Sequence, residues 1–180
     1  CYDKELVKQV ALESGFDPKF IEERGESAPG KHRFAYAFLG RGTPGVMGGM
    51  SASDFLWTIQ YRVIQDLAEK GPCVIVGRCA DYILRDRPRV LNVFIASGRA
   101  ERRDRLCRLH GIAPAAAEEL MDRTDAKRAS YYNYFSHGTW GMAATYHLCV
   151  DSSVLGVEGT ADFVLEYAAR KLGVKPAEEQ

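Results

Sequence analysis

Two predominantly apolar runs, CVIVG at residues 73–77 and VLNVFIAS at 90–97, most constrain the fold of this chain. Each has strand length, and neither alternates apolar with polar residues. Each is therefore expected to be a strand covered on both faces, as in a parallel sheet between helices. YHLCVDSS at 146–153 reads as a third strand.

The segments around these runs have helical spacing. YDKELVKQVALESGF places Leu6, Val7, Val10 and Ala11 on one side and stops at Gly15; Asp17 and Pro18 open a short helix in DPKFIEERGE. SASDFLWTIQYRVIQDLAEKG aligns Phe55, Leu56, Ile59, Val63, Ile64 and Leu67 before Gly71-Pro72 closes it. ADYILRD reads as a short helix. Ser97 stands where it could cap GRAERRDRLCRLHG, which ends at Gly111; residues 114–134 form a further helix, and EGTADFVLEYAARKLG a terminal one ended by Gly173. Residues 25–50 read as loop. Helices alternating with buried strands give a layered α/β fold, and without a repeat or linker the expectation is one domain over residues 1–180.

Charge narrows the partners. Lys plus Arg equals Asp plus Glu at 24 each, so no general basic field favours nucleic acid or an anionic membrane surface. The apolar runs are too short to span a bilayer, and CYDKELVKQV lacks signal-peptide character, which leads to an expected cytoplasmic location. Cys1, Cys73, Cys79, Cys107 and Cys149 show no C-x-x-C spacing and are expected to be reduced, buried thiols. Neither H-E-x-x-H nor G-x-S-x-G occurs, and no metal-ligating set is expected.

Any anion site must then be local. GRGTPG at 40–45 is a literal G-x-G-x-x-G, but Pro44 removes one backbone donor and no strand leads directly through it into a helix. A surface loop is the better reading. Gly77-Arg78 stands at the end of a strand, where open α/β sheets place ligands. Its guanidinium suits a phosphate or a base carbonyl, or else an ion pair with Asp81 or Asp86. Arg99, Arg102, Arg103, Arg105 and Arg108 crowd one helix, as a solvated face or as cations for phosphoryl transfer; Arg102 and Arg105 share a side. Asp125 and Arg128, also three apart, could form an ordinary helix salt bridge. Tyr131, Tyr132, Tyr134, Phe135 and Trp140 are expected to pack rather than stack on RNA.

The order of these pieces resembles the nucleoside monophosphate kinases of the cytidylate kinase type, and above all the bacterial cytidylate-kinase-like family. The matching pieces are Gly77-Arg78, Val93–Ser97, Glu101-Arg102 with Arg105, Asp122–Arg128, and Val150–Ser153, within a likeness from Tyr2 to about residue 172. The resemblance implies a three-layer P-loop kinase-like fold with a parallel sheet of order 2-3-1-4-5. It implies that Arg78 grips the acceptor nucleotide, with Asp81 beside it, and that Asp125 and Arg128 contact its sugar and phosphate. It also implies that Arg102 and Arg105 lie at the base of a lid over the donor, and that Asp3 heads the acceptor-site helix. Catalysis would fall to Arg102, Arg105 and Arg128, with ATP and Mg²⁺ as cofactors and a nucleoside monophosphate or similar small molecule as acceptor.

Three departures bear on activity. Met121 stands where cytidylate kinase has an arginine, and Lys4 and Gln9 stand where its acceptor helix has Ser and Arg. No G-x-x-x-x-G-K-[ST] occurs, and the chain opens on Cys1. The expectation is that one strand-loop-helix unit of roughly 30 residues, carrying the phosphate loop, is missing from the front, and that the chain alone is inactive. A pseudokinase, keeping the fold as a nucleotide-binding or regulatory module, is the alternative.

Overall fold

Residues 1–26, 28 and 51–173 are described by a computed structural model of the chain. The GRGTPG segment and most of the 25–50 loop lie outside them. The described chain packs as two compact units, one within Cys1–Arg85 and Lys127–Thr139, the other within Asp86–Ala126 and Trp140–Gln180.

The first unit is built on helices whose ends are written locally. Helix α1 (Lys4–Ser14) stops where Gly15 turns left-handed at φ 73°. Helix α2 (Pro18–Arg24) starts with Pro18 in its first turn and with Asp17 Oδ1 accepting from the Lys19 N–H at 2.8 Å. Helix α3 (Ala52–Lys70) is capped by Ser51, whose Oγ accepts from the Asp54 N–H at 3.1 Å and donates to the Asp54 carboxylate at 2.7 Å. The apolar stripes read from the sequence face inward: Leu6, Val7, Val10, Ala11, Leu56, Ile59, Val63, Ile64 and Leu67 are buried and Phe55 is half-buried, while Ile21 of α2 joins the same core. Each buried Leu, Val or Ile side chain contributes about 1.5–3 kcal/mol by leaving water. Helix α4 (Ala80–Ile83) follows the Gly77-Arg78 turn and adds Ala80 and Ile83 to this core.

The second unit carries the sheet. Strands β1 (Val93–Ala96) and β2 (Leu148–Asp151) pair in parallel, Val93 opposite Leu148 through Ala96 opposite Asp151. Helix α5 (Arg99–His110) follows β1 and ends at Gly111, as expected; helix α7 (Ser152–Leu172) follows β2 and is broken at Gly156. Helix α6 (Pro114–Ser136) begins in this unit, and its residues from Lys127 onward belong to the first. Phe94 lies against Trp140 and Tyr146, with centroids 5.6 and 5.0 Å away.

Four expectations need correction. The CVIVG run makes one bridge, Ile75 with Tyr2, rather than a buried strand, and Val74 and Val76 are exposed. Ile95 is 60% exposed, so VLNVFIAS is a strand but is not covered on both faces. An apolar run gains burial only from the neighbours the fold supplies, and β1 has one such neighbour, β2, among the described residues. The cap of α5 is Gly98, not Ser97, and makes no side-chain hydrogen bond. Of the five thiols only Cys79 is buried; Cys1, Cys73 and Cys149 are exposed.

Candidate functional site

Arg78 occupies an unusual backbone. Gly77, Arg78 and Cys79 all have positive φ, at 69°, 56° and 55°, which makes a short left-handed run just after the Ile75 bridge. For residues with a Cβ this conformation costs about 1–2 kcal/mol each. The turn aims the arginine inward, where its side chain is only 11% exposed. Its Nε lies 3.4 Å from the Glu26 carboxylate, and its Nη1 donates to the Gln60 side-chain oxygen at 3.3 Å. A Cβ at position 25 would collide with Nη1, so Gly25 is what allows the guanidinium to come this close. The carboxylate Arg78 meets is that of Glu26, not the Asp81 or Asp86 weighed as the alternative to a ligand.

The neighbouring groups are held neutral or already engaged. Burial pushes the Cys79 thiol far above its ordinary value, with the carboxylates of Asp81 and Glu26 adding to the effect, so it is no nucleophile. Burial likewise raises the Tyr131 phenol. Asp81 accepts from the Tyr132 hydroxyl at 2.7 Å. Tyr131, Tyr132 and Phe135 are buried, and Trp57 stacks on Phe135 at 4.4 Å and 11°, so these aromatic rings pack as expected while Tyr134 stays exposed. A cleft of about 640 Å³ is lined by Asp54, Trp57, Asn133, Tyr134, Phe135 and His137. With no arginine or lysine in its wall, it offers a phosphate little.

Asp3 precedes α1 without capping it and is exposed; Arg128 is exposed on α6. Among the described residues of the first unit, no hydrogen bond or ion pair joins any of Asp3, Arg78, Asp81 and Arg128 to another of the four.

In the second unit the arginines of α5 meet the acids of α6. Arg102 binds both oxygens of Asp125, at 2.8 and 2.7 Å, and both side chains are partly covered. Arg99 grips Asp122 through two bonds of 2.7 and 3.0 Å and approaches Glu118 at 3.6 Å. Arg103 reaches Asp104 at 2.9 Å and Glu118 at 3.7 Å. The Arg99 guanidinium holds the Asp122 carboxyl below its usual range, and Asp122 in turn raises Arg99. Asp125 is thus the partner of Arg102 rather than of Arg128. Arg105 is exposed, and no ion pair joins it to another described residue. The sequence reading missed the Arg99–Asp122 clasp, although R-x-x-R at 99–102 and D-x-x-D at 122–125 carry the same spacing. It also missed Glu26 and Gln60, for which no local signal exists.

Among the described residues no group of His, Cys, Asp and Glu side chains could hold a metal ion, and no helix is long and apolar enough to cross a membrane. Residues 1–154 match the cytidylate kinase-like family. The chain belongs to that family. A cytidylate kinase from Aeropyrum pernix is 32% identical over 111 residues, which are 59% of this chain and 61% of that protein. The chain thus spans less than two thirds of that relative's length. A crystal structure of an uncharacterized protein from Eubacterium ventriosum, 23% identical, superposes with a TM-score of 0.60 over 92% of this chain and 90% of that one, a likeness of fold.

Proposed function

We propose that the protein is an ATP-dependent phosphotransferase that moves the γ-phosphoryl group to a nucleoside monophosphate or a similar small acceptor. One observation carries this reading: in a chain of the cytidylate kinase-like family, Arg78 is a pre-aimed, mostly sequestered cation on a strained turn. Strain of this kind persists where the surroundings over-determine it, and it gathers at ligand clamps. Arg78 would take the acceptor's phosphate, with Asp3 and Asp81 among the groups around it, and Asp125 with Arg128 would meet sugar and phosphate. Arg102, Arg105 and Arg128 would neutralise charge on the migrating group, which is most of what a protein contributes to this chemistry. The exposure of Arg105 and Arg128 suits that role, whereas Arg102 would have to share Asp125 with its ligand.

Mg²⁺ would come with ATP, held chiefly by phosphate oxygens and few protein ligands. The sheet order 2-3-1-4-5 belongs to the same proposal. With the Tyr2 and CVIVG segments taken as its strands 2 and 3, and β1 and β2 as its strands 4 and 5, the parallel pairings of Tyr2 with Ile75 and of β1 with β2 support it.

A second reading, a nucleotide-binding module without turnover, draws on Met121. Its side chain is 2% exposed, so a core methionine fills the place of a substrate-facing arginine. One assay separates the two: labelled ATP with a panel of nucleoside monophosphates, and calorimetric binding of the same panel. Turnover of one acceptor, lost in Arg78→Ala, is the expected result. Binding without turnover selects the module, and neither binding nor turnover overturns both readings.

A further inference from the structure

Gln60 is a polar side chain at the centre of an apolar helix face, 1% exposed. Its amide nitrogen donates to the Gly25 carbonyl at 3.1 Å, to the Tyr131 hydroxyl at 3.2 Å and, more weakly, to the Leu56 carbonyl at 3.4 Å. Its oxygen accepts from Arg78 Nη1. Those groups come from the end of α2, from α3, from α6 and from the left-handed turn. A primary amide can both donate and accept here; a leucine could do neither, and a carboxylate would lose the donors to Gly25.

We propose that Gln60 is the positioning residue of the phosphate-acceptor site: it fixes the direction of the Arg78 guanidinium and, by meeting it with a neutral oxygen, leaves its positive charge available to the acceptor's phosphate. Arg78 already faces one carboxylate, that of Glu26, whose side chain is 25% exposed. A phosphate dianion can compete with that single, water-accessible partner. A second carboxylate, buried on the opposite side, would neutralise the guanidinium where water cannot screen it. The amide at position 60 holds the arginine without that effect. This inference rests on the proposed role of Arg78 and adds the residue that governs it.

The test uses the full-length protein, calorimetric binding of cytidine, uridine, adenosine and guanosine 5′-monophosphates, and the variants Gln60→Glu, Gln60→Met and Arg78→Ala. With the tightest-binding monophosphate, both Gln60 variants should weaken affinity on the order of tenfold or more near pH 8. The Gln60→Glu penalty, taken as a ratio to wild type, should shrink as pH falls and the introduced carboxyl takes a proton; the Gln60→Met penalty should not. The other charged and titratable groups facing the site are Arg78, Glu26, Asp81, Cys79 and Tyr131, of which burial keeps the last two neutral. A pH-independent ratio for Gln60→Glu, or unchanged affinity in both variants while Arg78→Ala weakens binding, overturns the inference and leaves the role of Arg78 standing. Unchanged affinity in Arg78→Ala, or no binding of any monophosphate, removes that role and the inference with it. If the Gln60 variants do not fold, the nitrogen NMR signals of Arg78 in the wild-type protein decide. Separate, slowly exchanging Nη resonances support a clamped guanidinium, and a single averaged one refutes it.

Discussion

Replacing Arg78 with glycine and, separately, with alanine removes the same guanidinium but treats the backbone differently. At φ 56° alanine must pay the left-handed penalty of about 1–2 kcal/mol, which glycine escapes. Glycine in turn loses about 0.4–1 kcal/mol through its freer unfolded chain. The balance leaves the glycine variant more stable by about 1 kcal/mol, and in a chain of this size that separates the melting temperatures by about 2–4 °C. Both variants leave the Gln60 oxygen and Glu26 without their cation, so that loss cancels in the comparison. Urea unfolding of the two variants side by side, analysed by linear extrapolation, measures the difference. At an ordinary negative φ the order reverses. An alanine variant as stable as the glycine variant, or more so, would refute the strained turn and with it the argument that Arg78 is held in place for a purpose.

Two further outcomes follow from the geometry. Because Arg99 depresses the folded-state pKa of Asp122, the clasp between them contributes above the unfolded carboxyl's pKa and is lost as pH falls through the lower folded value. The Asp122 carboxyl carbon should titrate below the usual carboxylate range by NMR and return to it in Arg99→Ala; identical midpoints would sink that pairing. Iodoacetamide under native conditions should label Cys73 and Cys149 and spare Cys79, read by peptide mass spectrometry, since burial both shields its thiol and raises its pKa. Comparable labelling of Cys79 would show that the turn is open.

Helix limits were legible in the sequence because their causes are local. Asp17 before Pro18, Gly15 after Ser14, and Gly111 after His110 each act within one turn of the helix they bound. The core faces of α1 and α3 were legible for a related reason: a helical stripe repeats over many residues. The partners of the charged groups were not. Glu26 lies 52 positions from Arg78 and Gln60 lies 18, so weighing nearby Asp81 and Asp86 as the counter-ion looked too close at hand. The same applies to Arg99 and Arg102, whose partners stand 23 residues on, in the following helix. Ser97 was misjudged because Ser is a better cap than Gly by propensity, while the backbone at the end of β1 presents Gly98 at that position. The strand runs were recognised as extended but credited with too much burial, a property that comes from neighbours rather than from the run itself.

The Gln60 amide has a consequence for how the molecule breathes. Its bonds fasten the last turn of α2 and the buried tyrosine of α6 to the same point on α3. Because both bonds converge on one amide, these segments should open together as one cooperative block. Slow amide exchange near Gly25 and Tyr131 would then report the same sub-global fluctuation, and a fray at either end would loosen the arginine between them.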